Sequence, residues 1–417
     1  MAVRPSMTGR SVRLTDSNRR LAGVTSWSSV SQAASAASNV VIELAITAFI
    51  GLSGLGQWTV RYAAALTVMY LVRAALGDLL LADPTSDHES SSERRASSLL
   101  GLVLLIGIAA LVVLGAVALV TKDVSWLLVG LLLPGVLAQD LLRYVSFWRL
   151  KPKTAAVMDL VWLAGSLGCI PVIAATRSVG ASIAGWGVGA LISALVGSLI
   201  AGVKPSSPRL ALTWWTKNRA LGIPTFLDTA LYLLGNQGLW FFIAAAAGSE
   251  TLGVFRLALL LANPALLIYL AAQTMLVPAI TRQGVSAGHL LRYTAVAIGA
   301  GLALFFVAAV IVLPLLRAVG AITATASPSL IWLTVLYVAA SAPYVITASL
   351  LRAKRHGTGF LLMRGVAAAV TLTIAVIGIT HWGATAAMAG LALGTLSAAA
   401  IGVRLATQWV QPSDASA

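Results

Sequence analysis

The sequence predicts an all-α polytopic membrane protein of about twelve transmembrane helices, arranged as two parallel six-helix bundles related by pseudo-two-fold symmetry. Three observations lead there. Of the 417 residues 59% are hydrophobic and only 10% charged, against roughly 25% charged in soluble chains, so lipid must be the solvent for much of the surface. The apolar residues fall into stretches of span length. Finally, one phrase is written twice, as PGVLAQDLLR at 134–143 and PYVITASLLR at 343–352.

A helix needs roughly 20 apolar residues to cross a bilayer. Such stretches occur at 24–51, 56–82, 98–121, 125–147, 154–175 and 179–202, then at 221–248, 252–280, 290–316, 328–350, 358–380 and 383–407. They are continuously apolar rather than alternating, which excludes an outer-membrane barrel; lipid leaves the helix as the remaining way to satisfy the backbone. Ahead of them lies a basic tail, 1–23, with Arg4, Arg10, Arg13, Arg19 and Arg20. No cleavage site follows a short apolar core, so the first stretch reads as an uncleaved helix.

With the N-terminus in the cytoplasm, the inner loops hold Arg94, Arg95, Arg149, Lys151, Lys153, Lys204, Arg209, Lys217, Arg219, Arg282, Arg352, Lys354 and Arg355. The outer loops hold only Lys122, Arg177 and Arg317. This positive-inside asymmetry puts both termini in the cytoplasm. It also accounts for the net charge of +15 without nucleic acid, for which no basic face with interleaved aromatics exists. The domains expected are an N-lobe at 24–202, a cytoplasmic linker at 203–220, a C-lobe at 221–408 and a tail at 409–417. Within the linker, LTWWTKNR suits either a short helix on the inner interface or a loop with two buried tryptophans, Trp214 and Trp215. One cysteine, Cys169, and four scattered histidines, His88, His289, His356 and His381, give neither a disulfide framework nor a metal site.

Both repeated phrases fit P-x-V-x(4)-L-L-R and close the fourth and tenth helices. The proline should bend each helix, and the arginine should end it at the headgroups. A second echo pairs Asn39, Gly51, Leu55 and Gly56 with Asn236, Gly248, Leu252 and Gly253. Six helices separate the copies, an even number, so both face the same way. Duplicated bundles around a midplane site are a transporter architecture.

The turn GLSGLGQW, the junctions LLRYVSFWRLKPKTAAVMDLVW and GSETLGVFRLALLLANP, and the six-plus-six helix count together resemble the multidrug/oligosaccharidyl-lipid/polysaccharide flippase superfamily, particularly its polysaccharide-exporter branch. The resemblance implies two bundles in a V that alternates between inward-open and outward-open states. It also implies a polyprenyl-pyrophosphate-linked glycan as substrate.

Ionisable groups at membrane depth are costly and usually functional. Glu43, Arg61 and Arg256 sit about 8–12 Å inward from tight turns at 1.5 Å per residue. Glu43 and Arg61 are level on neighbouring helices, so an ion pair is one reading. For Arg256 the readings are snorkelling to headgroups or binding phosphate in a cavity. A deeper set comprises Arg73, Asp78, Asp140, Arg143, Asp159, Asp228 and Arg364. Asp159 and Arg364 lie at similar depth on matching helices, so they are candidates for a salt bridge across the cytoplasmic mouth. The alternative is local pairing, such as Asp140 with Arg143 at i,i+3. Asn39, Asn236 and Gln237 can bond either neighbouring helices or a sugar hydroxyl.

The expected function is flipping of a lipid-linked oligosaccharide or polysaccharide precursor across a bacterial plasma membrane. Envelope glycan polymerases or glycosyltransferases are the expected partners, besides membrane lipids. No P-loop motif occurs, so ATP hydrolysis in this chain is not expected; no cofactor is expected, and a proton or sodium gradient is a candidate driving force. A drug/cation antiporter is the main rival, with Glu43 or Asp228 as its protonatable acid. A membrane glycosyltransferase or ligase would need carboxylates at the outer face, where only Asp123 and Glu250 stand out. A non-transporting assembly scaffold is the remaining reading.

Overall fold

The computed structural model describes residues 8–81, 89–283, 287–318, 327–354 and 356–407, with side chains over 26–81, 92–269, 292–318, 327–354 and 356–407. Expectations resting on the side chains of the basic tail, on His88, Arg282, His289 and Arg355, or on 409–417 lie outside the described residues.

The chain is all-α and polytopic: among the described residues, eleven helices are long and apolar enough to cross a membrane, and no strand occurs. In order they are α1 (Thr8–Phe49), α2 (Leu52–Leu81), α3 (Glu89–Thr121), α4 (Val124–Trp148), α5 (Pro152–Thr176) and α6 (Val179–Ala201). The next, Arg209–Gln283, is broken by non-helical backbone at Gly248, so it supplies two spans, α7 before the break and α8 after it. Then follow α9 (Ala287–Ala318), α10 (Pro328–Ala353), α11 (Gly357–Trp382) and α12 (Ala384–Ala406).

Helix starts have local causes. The Asp123 carboxylate accepts from the Ser125 backbone N–H at 2.9 Å and opens α4. Ser327, followed by Pro328 in the first turn, caps α10. His356 accepts from Gly359 N–H at 3.1 Å and caps α11, which gives that histidine a structural role. Each cap satisfies a helix donor that would otherwise lack a partner.

Two features differ from expectation. First, residues from Arg209 onward are continuous with α7, so two thirds of the linker 203–220 is helix. Nothing between Arg209 and Leu221 breaks a helix, and Thr213, Thr216 and Asn218 turn their polar groups onto its own carbonyls. Trp214 is buried there, with Arg95 set between it and Trp148 at 5.9 and 5.8 Å. Second, Arg143 does not end its helix: α4 runs on to Trp148, and Arg143 is buried. In the other copy Arg352 does lie in the last turn of α10. Both prolines of the phrase, Pro134 and Pro343, lie inside their helices.

The chain forms two compact units. One holds Met1–Leu44, Val68–Thr176 and Gly180–Phe226; the other holds Ala45–Thr67, Arg177–Val179 and Leu227–Ala417. The turn between α1 and α2 thus belongs with the second half of the chain. In both halves the third helix is the least buried: only 17% of the α3 window and 11% of the α9 window lie inside. Matching helices therefore occupy matching peripheral places, as a duplicated chain requires.

Candidate functional site

In the first unit the polar residues of α1 lie four apart: Ser31, Ser35, Asn39 and Glu43. At 3.6 residues per turn they form one stripe. Ser31 donates to the Asp159 carboxylate on α5. The Ser35 hydroxyl accepts from Arg143 Nη1 at 3.0 Å. Asn39 donates to the Ser35 carbonyl and accepts from Trp186 Nε1, both at 3.1 Å. Glu43, at the end of the stripe, is buried. Gln139 Nε2 donates to Asp159 Oδ1 at 2.9 Å, and Arg143 Nη1 lies 4.0 Å from the same oxygen. Asp159 is fully buried, and these are the groups its carboxyl meets.

Asp140 faces another way. It does not pair with Arg143 one turn on; Arg73 grips it through two nitrogens, at 2.6 and 3.2 Å. Arg73 opens a π-helical turn, Arg73–Gly77, in α2, a distortion that often marks functional positions. Its guanidinium lies over Tyr70 at 4.9 Å and Tyr144 at 5.5 Å.

In the second unit α7 repeats the stripe as Asp228, Tyr232, Asn236 and Trp240, each 197 residues after its α1 counterpart. Asp228 pairs with Arg364 of α11 at 2.9 Å. Since α5 and α11 match, the same crossing carries a hydroxyl and a carboxylate in one half and an ion pair in the other. Asp159 and Arg364, the candidate gate pair, are each engaged inside their own unit. Above the Asp228–Arg364 pair opens a cavity of about 280 Å³, walled by α7, α8, α10, α11 and α12. Asn236, Arg364 and four of the chain's eight tyrosines, Tyr232, Tyr269, Tyr337 and Tyr344, line it. Asn236 donates to the Tyr232 hydroxyl at 3.0 Å. Gln237 turns away from it and is buried.

Arg256 does not line this cavity. It is buried, 4.7 Å from the Trp240 ring and 5.9 Å from Tyr62, which itself stacks on Trp58 at 5.5 Å. Arg61 donates to the Gln57 carbonyl of its own helix at 2.7 Å. Glu43 and Arg61 fall in different units, and their pairing stays an expectation.

Past this aromatic layer the two turns meet. Gly51 and Gly248 take left-handed backbone, φ 92° and 84°, which costs glycine least. The Gly56 Cα lies against the Ser249 carbonyl, and the Gly253 Cα against the Leu52 carbonyl, with no room for a Cβ at either. Those two contacts exchange under the 197-residue offset, so the turns meet about a two-fold. Ser53 and Ser249 hydroxyls are 3.0 Å apart. Gly56→Ala should part the turns: overpacking costs about 1–3 kcal/mol, which moves a two-state balance by about 5–150-fold. The expected result is faster labelling of Ser53→Cys by a membrane-impermeant maleimide; an unchanged rate would mean the turns are not held there.

The stripes and the tyrosines were not anticipated from the sequence. Their signal was available as polar residues spaced by four in otherwise apolar helices, of which Asn39, Glu43, Asp228 and Asn236 had been singled out one by one and not as stripes.

No protein-family model matches the chain, nor does any curated protein. Solved structures do. An inward-facing multidrug resistance MATE-family transporter of the MOP superfamily aligns over 90% of this chain and 94% of its own, with TM-score 0.69 and 15% identity. The lipid II flippase MurJ, in an inward closed conformation, aligns over 91% of this chain and 87% of its own, with TM-score 0.70 and 9% identity. A MOP superfamily transporter from Pyrococcus furiosus aligns over 93% and 95%, with TM-score 0.63 and 15% identity. The chain has the fold of the MOP superfamily transporters.

Proposed function

We propose that the chain moves the polar head of a lipid-linked glycan precursor across the bacterial plasma membrane by alternating access. Its N-lobe is 24–202, its linker 203–220 and its C-lobe 221–408, and both termini face the cytoplasm. The observation that carries this reading is the contact between the two turns. It is a small surface of glycine backbone and two serine hydroxyls, exchanged by a two-fold, and it lies at the ends of α1–α2 and α7–α8 remote from the basic loops. Such a contact is weak enough to break and re-form in each cycle, as an outer gate must. The polar stripes of α1 and α7 start below it, and they supply hydroxyl and amide groups at membrane depth for a sugar head whose tail stays in lipid. The MurJ likeness agrees with this substrate class, and an envelope glycosyltransferase or polymerase is the natural partner.

A drug/cation antiporter of the same fold is the second reading, favoured by the buried Asp159 carboxylate, since a proton or sodium ion can couple there. Reconstituted vesicles separate the two. A flippase makes a fluorescent lipid-linked oligosaccharide of the inner leaflet accessible outside, and it leaves a soluble cationic dye untouched. Dye uptake that follows the pH gradient, without lipid translocation, would replace the flippase reading by the antiporter. Depletion in cells should further cause a lipid-linked intermediate to accumulate on the inner leaflet.

A further inference from the structure

We propose that the cavity inside the second unit is a recognition pocket for an acidic sugar, a single ring bearing a carboxylate, held by Arg364. The proposal deepens the glycan-transport reading and rests on it.

Begin with the donors and acceptors on the wall. Ser341 donates its hydroxyl to the Tyr337 carbonyl at 2.7 Å, Thr395 to Leu391 at 2.8 Å and Thr371 to Gly390 at 3.2 Å. A hydroxyl has one proton, so these three now face the cavity as acceptors. They suit ligand hydroxyl groups, which donate. The donors in reserve are of another kind. Tyr269 is buried, and its hydroxyl has no partner, a vacancy that costs free energy unless water or a ligand fills it. Arg364 Nε lies 2.9 Å from an Asp228 carboxylate oxygen, and a guanidinium has further N–H groups in the same plane. A ligand that accepts from Arg364 and donates to the serine and threonines carries both an anion and hydroxyls.

The shape agrees. Tyrosine rings form much of the wall, and aromatic faces pack against the C–H faces of a flat, rigid ring at little entropic cost. Arg364 itself is fixed in place, its charge 4.8 Å from the Tyr232 ring and 4.9 Å from Phe360. An inorganic cation fits poorly, because no carboxylate is among the lining residues and the neighbouring Asp228 already has its counter-ion. The matching crossing of the first unit has the opposite polarity, with Asp159 in place of Arg364, so an anion would be accepted on one side only.

The test uses the full-length protein purified in detergent, with isothermal titration by sodium glucuronate, glucose and inorganic phosphate. Glucuronate should bind at least about tenfold tighter than either of the others, the loss expected when one charge-assisted bond or the ring contacts are missing. Arg364→Gln should weaken glucuronate by about tenfold or more, while Asp228→Asn should leave it equal or tighter, since it removes the competing carboxylate. Both variants are checked for a monodisperse elution. Equal weakening by the two would mean that the ion pair only supports the fold, and would overturn the proposal. So would glucose or phosphate binding as tightly as glucuronate, or no binding at all. Lipid translocation in vesicles is read in parallel. Translocation without glucuronate binding ends this proposal alone. Glucuronate binding without translocation ends the transport reading and leaves the pocket standing.

Discussion

Oxidation of a Ser53→Cys, Ser249→Cys double variant is expected to abolish transport, and reduction is expected to restore it. The two hydroxyl oxygens are 3.0 Å apart. A disulfide needs its sulfurs at about 2.05 Å, so the side chains must approach by about 1 Å, within the reach of small rotations. The cross-link would tie the α1–α2 turn to the α7–α8 turn at the place where glycine backbones already touch. An alternating-access cycle must part these turns to open that end, so a covalent bond there should leave almost no turnover. Each single variant should work normally, because neither serine has a partner to lose beyond the other. Cys169, the one native cysteine, is buried and is best replaced by alanine in the background. Unimpaired transport by fully cross-linked protein would show that the turns stay together through the cycle, and the outer-gate role would fail.

How much of this was legible in the sequence follows from what a linear pattern encodes. Span length is dictated by the bilayer, so the twelve helices could be read directly. The break at Gly248 could also be read, because it echoes Gly51, and both adopt left-handed backbone. What could not be read was direction around each helix. Asp140 and Arg143 are one turn apart and seemed natural partners, yet Asp140 turns to Arg73 on α2 and Arg143 to Ser35 on α1. Those partners lie 67 and 108 residues away, beyond any local pattern. The repeated phrase shows the same division. Its Leu-Leu positions hold equivalent packing places in both copies, with Leu141, Leu142, Leu350 and Leu351 all buried. Gln139 and Asp140, which carry the polar contacts of the first copy, are Ala348 and Ser349 in the second. Duplication preserved the scaffold, and the chemistry diverged at the positions between.

That divergence gives the first unit its most consequential side chain. Asp159→Ala should destabilise the protein by about 3–5 kcal/mol, the usual cost of stranding one member of a buried ion pair. The carboxylate is fully buried and takes bonds from Ser31 and Gln139, with Arg143 at 4.0 Å. Its removal leaves a buried guanidinium with only Ser35 to answer it, inside a bundle that water enters poorly. Asp159→Asn keeps an acceptor for Ser31 and should cost less. The charge itself is tested by removing both partners: Arg143→Met with Asp159→Leu should recover most of the loss, since an apolar pair of similar volume commonly equals or exceeds a buried salt bridge in stability. Thermal unfolding in detergent reads the four proteins as a double-mutant cycle. A single variant within about 1 kcal/mol of the parent would mean that Asp159 is neutral in the folded protein and holds no charge for Arg143 to answer. Transport by the stable double variant then decides what the pair is for. Full activity would make it a device of folding, whereas a stable but inactive protein would place the coupling step at this carboxylate and not at Asp228, whose charge Arg364 already balances.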